Sequence, residues 1–152
     1  MSLLRLVALV LGLSPLPAGP NAVLAAREPS LILMLASDQA AYRVGETTTF
    51  TVAVDNPTGA AVSLLFPSGR RYDIVALAGD VEVWRWSAQR DFVDEEATVS
   101  FPPGVSLLGR ETWDWRDGAG APLAPGTYRF VSTLTSSPPR TGNILAIEFL
   151  HP

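Results

Sequence analysis

The sequence predicts an all-β protein, an antiparallel β-sandwich of about eight strands, and three observations support this fold class. Twelve glycines and 13 prolines among 152 residues indicate a chain with many turns. Turn sequences recur about 11–12 residues apart in the first half of the chain, close to the spacing of a small sandwich. The segments between the turns alternate apolar and polar residues, and none shows the 3.6-residue period of an amphipathic helix.

The alternation predicts strands in order along the chain. Phe50, Val52 and Val54 alternate with threonine and alanine, which is typical of a strand with one buried face. Similar short segments, apolar or alternating, account for the remaining strands. The predicted strands include residues 31–35, 50–54, 62–66, 72–76, 82–86, 113–115, 128–132 and 145–149.

The turn Pro125-Gly126-Thr127-Tyr128 refines the architecture. A tyrosine that follows a turn, at the start of a late strand, can direct its hydroxyl back to the turn backbone. This arrangement resembles the tyrosine corner of immunoglobulin-like sandwiches. We therefore expect a single immunoglobulin-like domain over residues 48–150, preceded by a linker and first strand over residues 27–47.

Four tryptophans occur as two Trp-x-Trp pairs, Trp84/Trp86 and Trp113/Trp115. In a strand, Trp84 and Trp86 would share one face roughly 7 Å apart, and Arg85 would point the opposite way. The pairs have three possible roles: an aromatic ladder inside the sandwich, a platform for sugar rings, or a protein-binding patch. The ladder is the favoured interpretation, because aromatic residues in strands most often belong to the core.

Residues 1–26 have the pattern of a secretory signal peptide. Arg5 provides a positive start, residues 6–13 are apolar, and small residues precede a cleavage site expected after Ala25 or Ala26. Prolines interrupt the apolar run well before the ~20 residues that a membrane-spanning helix needs. The sequence thus predicts an exported protein, located in the periplasm, the cell envelope or the medium.

Composition excludes several classes of function. The net charge is −4, or −5 without the leader, so a nucleic-acid partner is not expected. The chain has no cysteine, which leaves no disulfide and no thiolate metal site. The one histidine, His151, lies next to the C-terminus and is poorly placed for a catalytic triad. No catalytic residue, cofactor or metal site is therefore predicted.

An acidic cluster, Asp91, Asp94, Glu95 and Glu96, lacks the ligand spacing and the glycine of an EF-hand loop. A solvated loop between strands is the favoured interpretation of this segment.

The segment Ser68-Gly69-Arg70-Arg71-Tyr72-Asp73, followed by Glu82-Val83-Trp84-Arg85-Trp86-Ser87, resembles the BsuPI-type intracellular proteinase inhibitor domain family. The similarity continues through Phe92, the Trp113 strand and the Pro125–Tyr128 turn, and so covers roughly residues 48–135. The signature positions are Ser68, Gly69, Tyr72, Asp73, Trp84, Trp86, Pro125, Gly126 and Tyr128. The resemblance implies a sandwich domain that inhibits a bacterial serine protease without chemistry.

The sequence leaves open where a partner would bind. Three segments are predicted to be loops able to enter a protease cleft: Ser87–Ala97, Pro102–Gly109 and Ser136–Gly142. The second would expose Leu107 and Leu108. Arg70, Arg71 and Arg85 are also partner-binding candidates, since they flank the tryptophan face or point away from it. A carbohydrate-binding or envelope-interaction module that uses exposed tryptophans is the alternative function.

Overall fold

The computed structural model describes residues 31–152, which form ten strands and one short 3-10 helix. The predicted signal peptide and residues 27–30 lie outside the described residues. The elements are β1 Ile32–Ser37, β2 Ala41–Arg43, β3 Thr48–Asn56, β4 Val62–Phe66, β5 Tyr72–Ala78, β6 Val81–Arg85, η1 Trp86–Gln89, β7 Ala97–Phe101, β8 Gly104–Trp113, β9 Gly126–Leu134 and β10 Arg140–Leu150.

Two sheets pack face to face. Sheet A has the order β1-β3-β8, and sheet B has the order β2-β10-β9-β5-β6. Strands β4 and β7 pair as a two-stranded ribbon. This ribbon continues the β3–β8 ladder, because the pair Asn56↔Gly104 is followed by Val62↔Phe101. All pairings are antiparallel except β2 with β10.

Aromatic side chains fill the space between the sheets. Phe50 of β3 and Phe130 of β9 contact each other across the sandwich with ring centroids 4.9 Å apart. Trp115 stacks on Phe149 at 4.3 Å and is 1% exposed. Burial of these large rings is the main source of stability for a chain that lacks disulfides.

The predicted fold class is confirmed, and so is the tyrosine corner. The Tyr128 hydroxyl donates a hydrogen bond to the carbonyl oxygen of Ala124 at 2.5 Å, which ties β9 to the turn before it. Burial of the ring raises the pKa of Tyr128, so the hydroxyl stays protonated and able to donate at neutral pH.

The strand count is ten, not about eight, because sequence patterning missed β2 and β7. With three residues, β2 is too short to show an alternation. Strand β7 lies between two segments predicted to be loops, Ser87–Ala97 and Pro102–Gly109, and was not among the predicted strands. The prediction of a loop over residues 102–109 is wrong: the loop is the turn Pro102-Pro103, and β8 begins at Gly104, whose φ of 90° reverses the chain.

Asn143 closes a gap between the sheets. It lies in a bulge of β10, and its side-chain oxygen accepts from the Leu35 amide at 2.8 Å. Its side-chain nitrogen donates to the Leu35 carbonyl at 3.1 Å. One amide side chain thus takes the place of a neighbouring strand for β1, whose other edge pairs with β3.

We expect Asn143→Ala to destabilise the domain by about 1–3 kcal/mol, because the N–H and C=O of Leu35 lose their partners close to the core. Urea unfolding measures the effect. Asn143 is exposed, so an unchanged free energy of unfolding would mean that water replaces the side-chain amide without cost.

Candidate functional site

Residues 90–96 form an irregular loop between η1 and β7, within the first of the three predicted loops. Phe92 is the partly buried side chain in this segment, and the others are exposed. Val93 is 67% exposed, as much as any large apolar side chain of the described chain apart from Val105. The acidic residues Asp91, Asp94, Glu95 and Glu96 face solvent. Within residues 31–152, no group of acidic or histidine side chains is assembled that could hold a metal ion.

Three residues of the loop are anchored to the rest of the domain. Phe92 packs against Trp86 with ring centroids 5.6 Å apart. The carbonyl oxygen of Val93 accepts a hydrogen bond of 2.7 Å from the amide of Gly69. The guanidinium of Arg90 lies 4.6 Å above the Trp86 ring and pairs with Glu111 at 3.2 Å. The exposed Val93 side chain is therefore presented from a fixed backbone.

Gly69 permits the close approach of the loop. A Cβ at this position would lie 3.3 Å from the Val93 amide nitrogen and 3.4 Å from its carbonyl oxygen, tighter than ordinary packing. A side chain here would push the loop away from its hydrogen bond. The glycine of the Ser68-Gly69 signature thus helps to fix where residues 90–96 lie.

Trp86 is the central residue of the cluster against which the loop packs. It stacks on Tyr72 with ring centroids 4.6 Å apart, and the Arg90 guanidinium lies over its ring. The Tyr72 hydroxyl donates to Glu111 at 2.5 Å, and Glu111 also pairs with Arg90. Gly109 leaves room for this hydroxyl, because a Cβ there would overlap it. We call Tyr72, Trp86, Arg90 and Glu111 the loop seat.

Tyr72 makes the stability of the domain fall at high pH. Burial, and then the hydrogen bond to Glu111, raise the pKa of Tyr72 well above its ordinary value. The unfolded chain loses this proton near pH 10. Above that pH the native state holds more protons than the unfolded state, so stability falls with pH by up to about 1.4 kcal/mol per unit for this group.

We expect Tyr72→Phe to cost about 1.5–3 kcal/mol at pH 8, from the lost bond to a carboxylate, and to decline less steeply than the wild type above pH 10. Urea unfolding at pH 8, 10 and 11 tests both. The pKa values of Tyr42 and Tyr128 are also raised, so a residual decline persists in the variant. If the free energy of unfolding fell equally steeply with pH in the two proteins, the role of the Tyr72 hydroxyl would be contradicted.

Asp73 joins the two halves of the signature. Its side chain is 5% exposed, and one oxygen accepts from the Ser87 hydroxyl at 2.6 Å and from Arg85 at 3.0 Å. The other oxygen accepts from the backbone amides of Ser87 at 3.2 Å and Ile74 at 2.9 Å. The carboxylate fixes the start of η1 against β5, and through η1 it fixes the orientation of Trp86.

The three arginine candidates are partly engaged within the domain. Arg70 and Arg85, with side chains 37% and 40% exposed, both bind Asp73. Hydrogen bonds to Glu82, and then to Asp73, raise the pKa of Arg85 further above its usual value. Arg71 donates to the Ser68 carbonyl and lies over the Phe66 ring at 4.9 Å. Their exposed parts border the signature turn, but their geometry is already set by these internal partners.

The leucine candidates differ from each other. Leu107 is 60% exposed and points away from the core on β8. Leu108 lies at the register shift of the β3–β8 ladder and packs partly buried against the core, so the expectation that it is an exposed contact is wrong. The third predicted loop ends earlier than expected, because β10 begins at Arg140.

The tryptophans form an interior aromatic ladder rather than an exposed row. Trp86, Trp113 and Trp115 are 9%, 5% and 1% exposed, and Trp84 is half-buried on Trp113 with centroids 4.8 Å apart. Two of them lie outside strands, contrary to prediction: Trp86 begins η1, and Trp115 follows β8 with a left-handed φ of 61°. A flat platform of four indoles is therefore not present.

An immunoglobulin-like sandwich that holds an exposed, disulfide-free loop on aromatic and paired charged side chains belongs to the class of rigid scaffolds that present a loop. The sequence agrees with this class. The chain belongs to the intracellular proteinase inhibitor (BsuPI) family, which it matches over residues 35–139. No curated protein matches the chain.

Several solved structures are similar to the chain. The CARDB domain of a Pyrococcus furiosus protein, solved with two metal ions, is 16% identical with a TM-score of 0.46, over 82% of this chain and 96% of that one. The sporulation control protein Spo0M of Bacillus subtilis is 15% identical with a TM-score of 0.45, over 78% of this chain and 49% of that one. Red sea bream transglutaminase is 15% identical with a TM-score of 0.49, over 90% of this chain and 20% of that one.

The described residues contain no helix with the length and hydrophobicity needed to cross a membrane.

Proposed function

We propose that this protein is an exported inhibitor of a serine protease of the subtilisin type, and that it blocks the protease by placing residues 90–96 in the active-site cleft. Inhibition of this kind is occlusion and requires no chemistry from the inhibitor. The single observation that carries the assignment of the loop is the anchoring of Phe92 and Val93 on the signature turn and on Trp86.

Rigidity is the physical reason to favour this loop. A loop that is already ordered loses little conformational entropy on binding, so more of the contact energy appears as affinity. Such order commonly comes from disulfides, and this chain has no cysteine. Here the Gly69–Val93 hydrogen bond and the packing of Phe92 and Arg90 on Trp86 serve instead.

The chemistry of the loop suits a protease cleft. Proteases bind extended segments through backbone hydrogen bonds and place alternate side chains in pockets. Val93 is an exposed apolar side chain between the anchored Phe92 and the acidic run that starts at Asp94. We assign Val93 to the principal apolar pocket of the protease, with the acidic run extending along the cleft beyond it.

Export is a separate part of the proposal and rests on the pattern of residues 1–26. The target would then be a protease of the envelope or the medium, although the family takes its name from intracellular inhibitors. Fractionation of expressing cells, with mass spectrometry of the N-terminus, tests this part. A product that starts after Ala25 or Ala26 supports export, and an intact N-terminus in the cytosol would contradict it.

Titration of the purified protein into a fixed amount of subtilisin tests inhibition. We expect residual activity to fall linearly to an endpoint near one inhibitor per enzyme, because a preformed loop binds tightly and at one site. Chymotrypsin serves as the comparison for specificity. Full activity of both enzymes in the presence of a tenfold excess of the protein would overturn the proposal.

A further inference from the structure

A cleft of about 560 Å³ opens beside the loop seat, and Trp86 and Arg90 of the seat contribute to its lining. The cleft volume lies within the roughly 300–1,000 Å³ typical of small-molecule sites. It is bounded by η1, the end of β8 and the turn at Asp117-Gly118. The Gln89 side chain links η1 to this turn by donating a hydrogen bond of 3.2 Å to the Gly118 carbonyl. The lining includes Trp84, Trp86, Trp113, Gln89, Thr112 and Asp114.

An aromatic surface forms one wall of the cleft. Trp84 is half-buried, and one face of its indole is backed by Trp113 at 4.8 Å. Behind it, Trp113 packs in a tilted contact against Trp115 with ring centroids 4.9 Å apart, so the Trp84 ring cannot fold away into the core. A rigid indole with a negative face attracts the positively polarised C–H groups on one face of a saturated ring.

Hydrogen-bonding groups surround this aromatic wall. Thr47, Thr112 and Gln89 are neutral and exposed. The indole N–H of Trp86, another wall residue, is buried and has no acceptor among the described residues. A ligand with several hydroxyls would offer partners to the exposed groups, the two threonines and Gln89.

The charged groups at the rim already have partners within the domain, which argues against an ionic ligand. Arg85 binds Asp73 and Glu82, and Arg90 binds Glu111. Asp114 pairs with Arg116 at 3.2 Å. Asp117 accepts from the amides of Ala119 and Ala121 within its own turn. Both signs of charge are present and balanced, so the rim selects neither an anion nor a cation.

We propose that this cleft binds a neutral oligosaccharide, with one sugar ring packed on the exposed part of Trp84 and its hydroxyls bonded to Gln89 and Thr112. A sugar ring supplies both features that the cleft calls for, an apolar C–H face and a surrounding ring of hydroxyls. The site differs from the Val93 surface and does not rest on protease inhibition. It would attach the protein to glycan while Val93, which is not part of the cleft lining, remains available.

Calorimetric titration of the purified protein with cellotriose, triacetylchitotriose, maltotriose and laminaritriose tests the proposal, since these neutral probes differ in their sugars and linkages. We expect binding of at least one probe at millimolar concentration or below, with a change in tryptophan emission. Gln89→Ala, at an exposed position, should weaken binding about fivefold, and Trp84→Phe should weaken it about tenfold. Val105→Ala, on the outer face of sheet A, is the control and should bind as the wild type does.

Two results would overturn the inference. The first is the absence of heat and of any emission change with all four saccharides. The second is binding that both Gln89→Ala and Trp84→Phe leave unchanged, since that would place the saccharide elsewhere. Unfolding curves of the variants establish that they are folded, and Gln89→Ala removes no core contact, so a folding failure of the tryptophan variant leaves the test intact.

Discussion

Val93→Asp is expected to weaken inhibition of subtilisin by about 100-fold or more without changing the stability of the domain. A carboxylate in an apolar pocket loses its hydration and finds no partner there. A loss of about 2.7 kcal/mol corresponds to 100-fold in the inhibition constant, within the range measured for central interface residues. Stability should be retained because the Val93 side chain is 67% exposed and its anchoring bond uses the backbone.

The chain offers a matched control for this substitution. Val81 is 66% exposed and lies at the β5–β6 hairpin, outside the 90–96 loop and its seat. Val81→Asp introduces the same charge at a site of equal exposure. Inhibition constants for the two variants and the wild type give the comparison. Equal weakening by both would point to net charge, and no weakening by Val93→Asp would remove the loop from the interface.

Trp86→Ala is expected to lower the free energy of unfolding by about 3–5 kcal/mol, the usual cost of truncating a buried tryptophan. The variant loses the stack on Tyr72, the contact with Phe92 and the support for Arg90. Trp86→Phe keeps an aromatic ring at the same place and should cost less than half as much. Urea unfolding of both variants measures the difference.

Release of the loop is the more specific consequence of these substitutions. Because Phe92 and Arg90 both rest on Trp86, Trp86→Ala should make residues 90–96 mobile and open to proteolysis before global unfolding occurs. Limited digestion with mass spectrometry locates the cuts. First cleavage at another loop, in a variant that is still folded, would show that Trp86 stabilises the core without holding the loop.

The signature residues consequently do more than form the core: they position the 90–96 loop. Asp73 and Ser87 set η1, Trp86 and Tyr72 form the seat, and Gly69 binds the Val93 carbonyl. None of these side chains needs to touch a protease. They hold residues 90–96, the segment that we propose enters the protease cleft.

The sequence by itself determined the fold class, most strands and the tyrosine corner. These features depend on residues close together in the chain: alternation across a pleat, Pro and Gly in turns, and a tyrosine four residues from its acceptor Ala124. The family resemblance was also visible, since its residues lie in two short runs. Such local patterns act whatever the distant parts of the chain do.

Only the tertiary structure decided which loop is anchored, which leucine is exposed and which charges are paired. Gly69 meets Val93, Tyr72 meets Glu111, and Asn143 meets Leu35 across 108 positions of sequence. Strand β8 forms where a loop was expected because β3 supplies its ladder of hydrogen bonds. Trp115 leaves the strand pattern because Phe149 and the surrounding rings stabilise its left-handed backbone. Contacts of this kind depend on how the sheets pack, and packing is not encoded in the spacing of neighbouring residues.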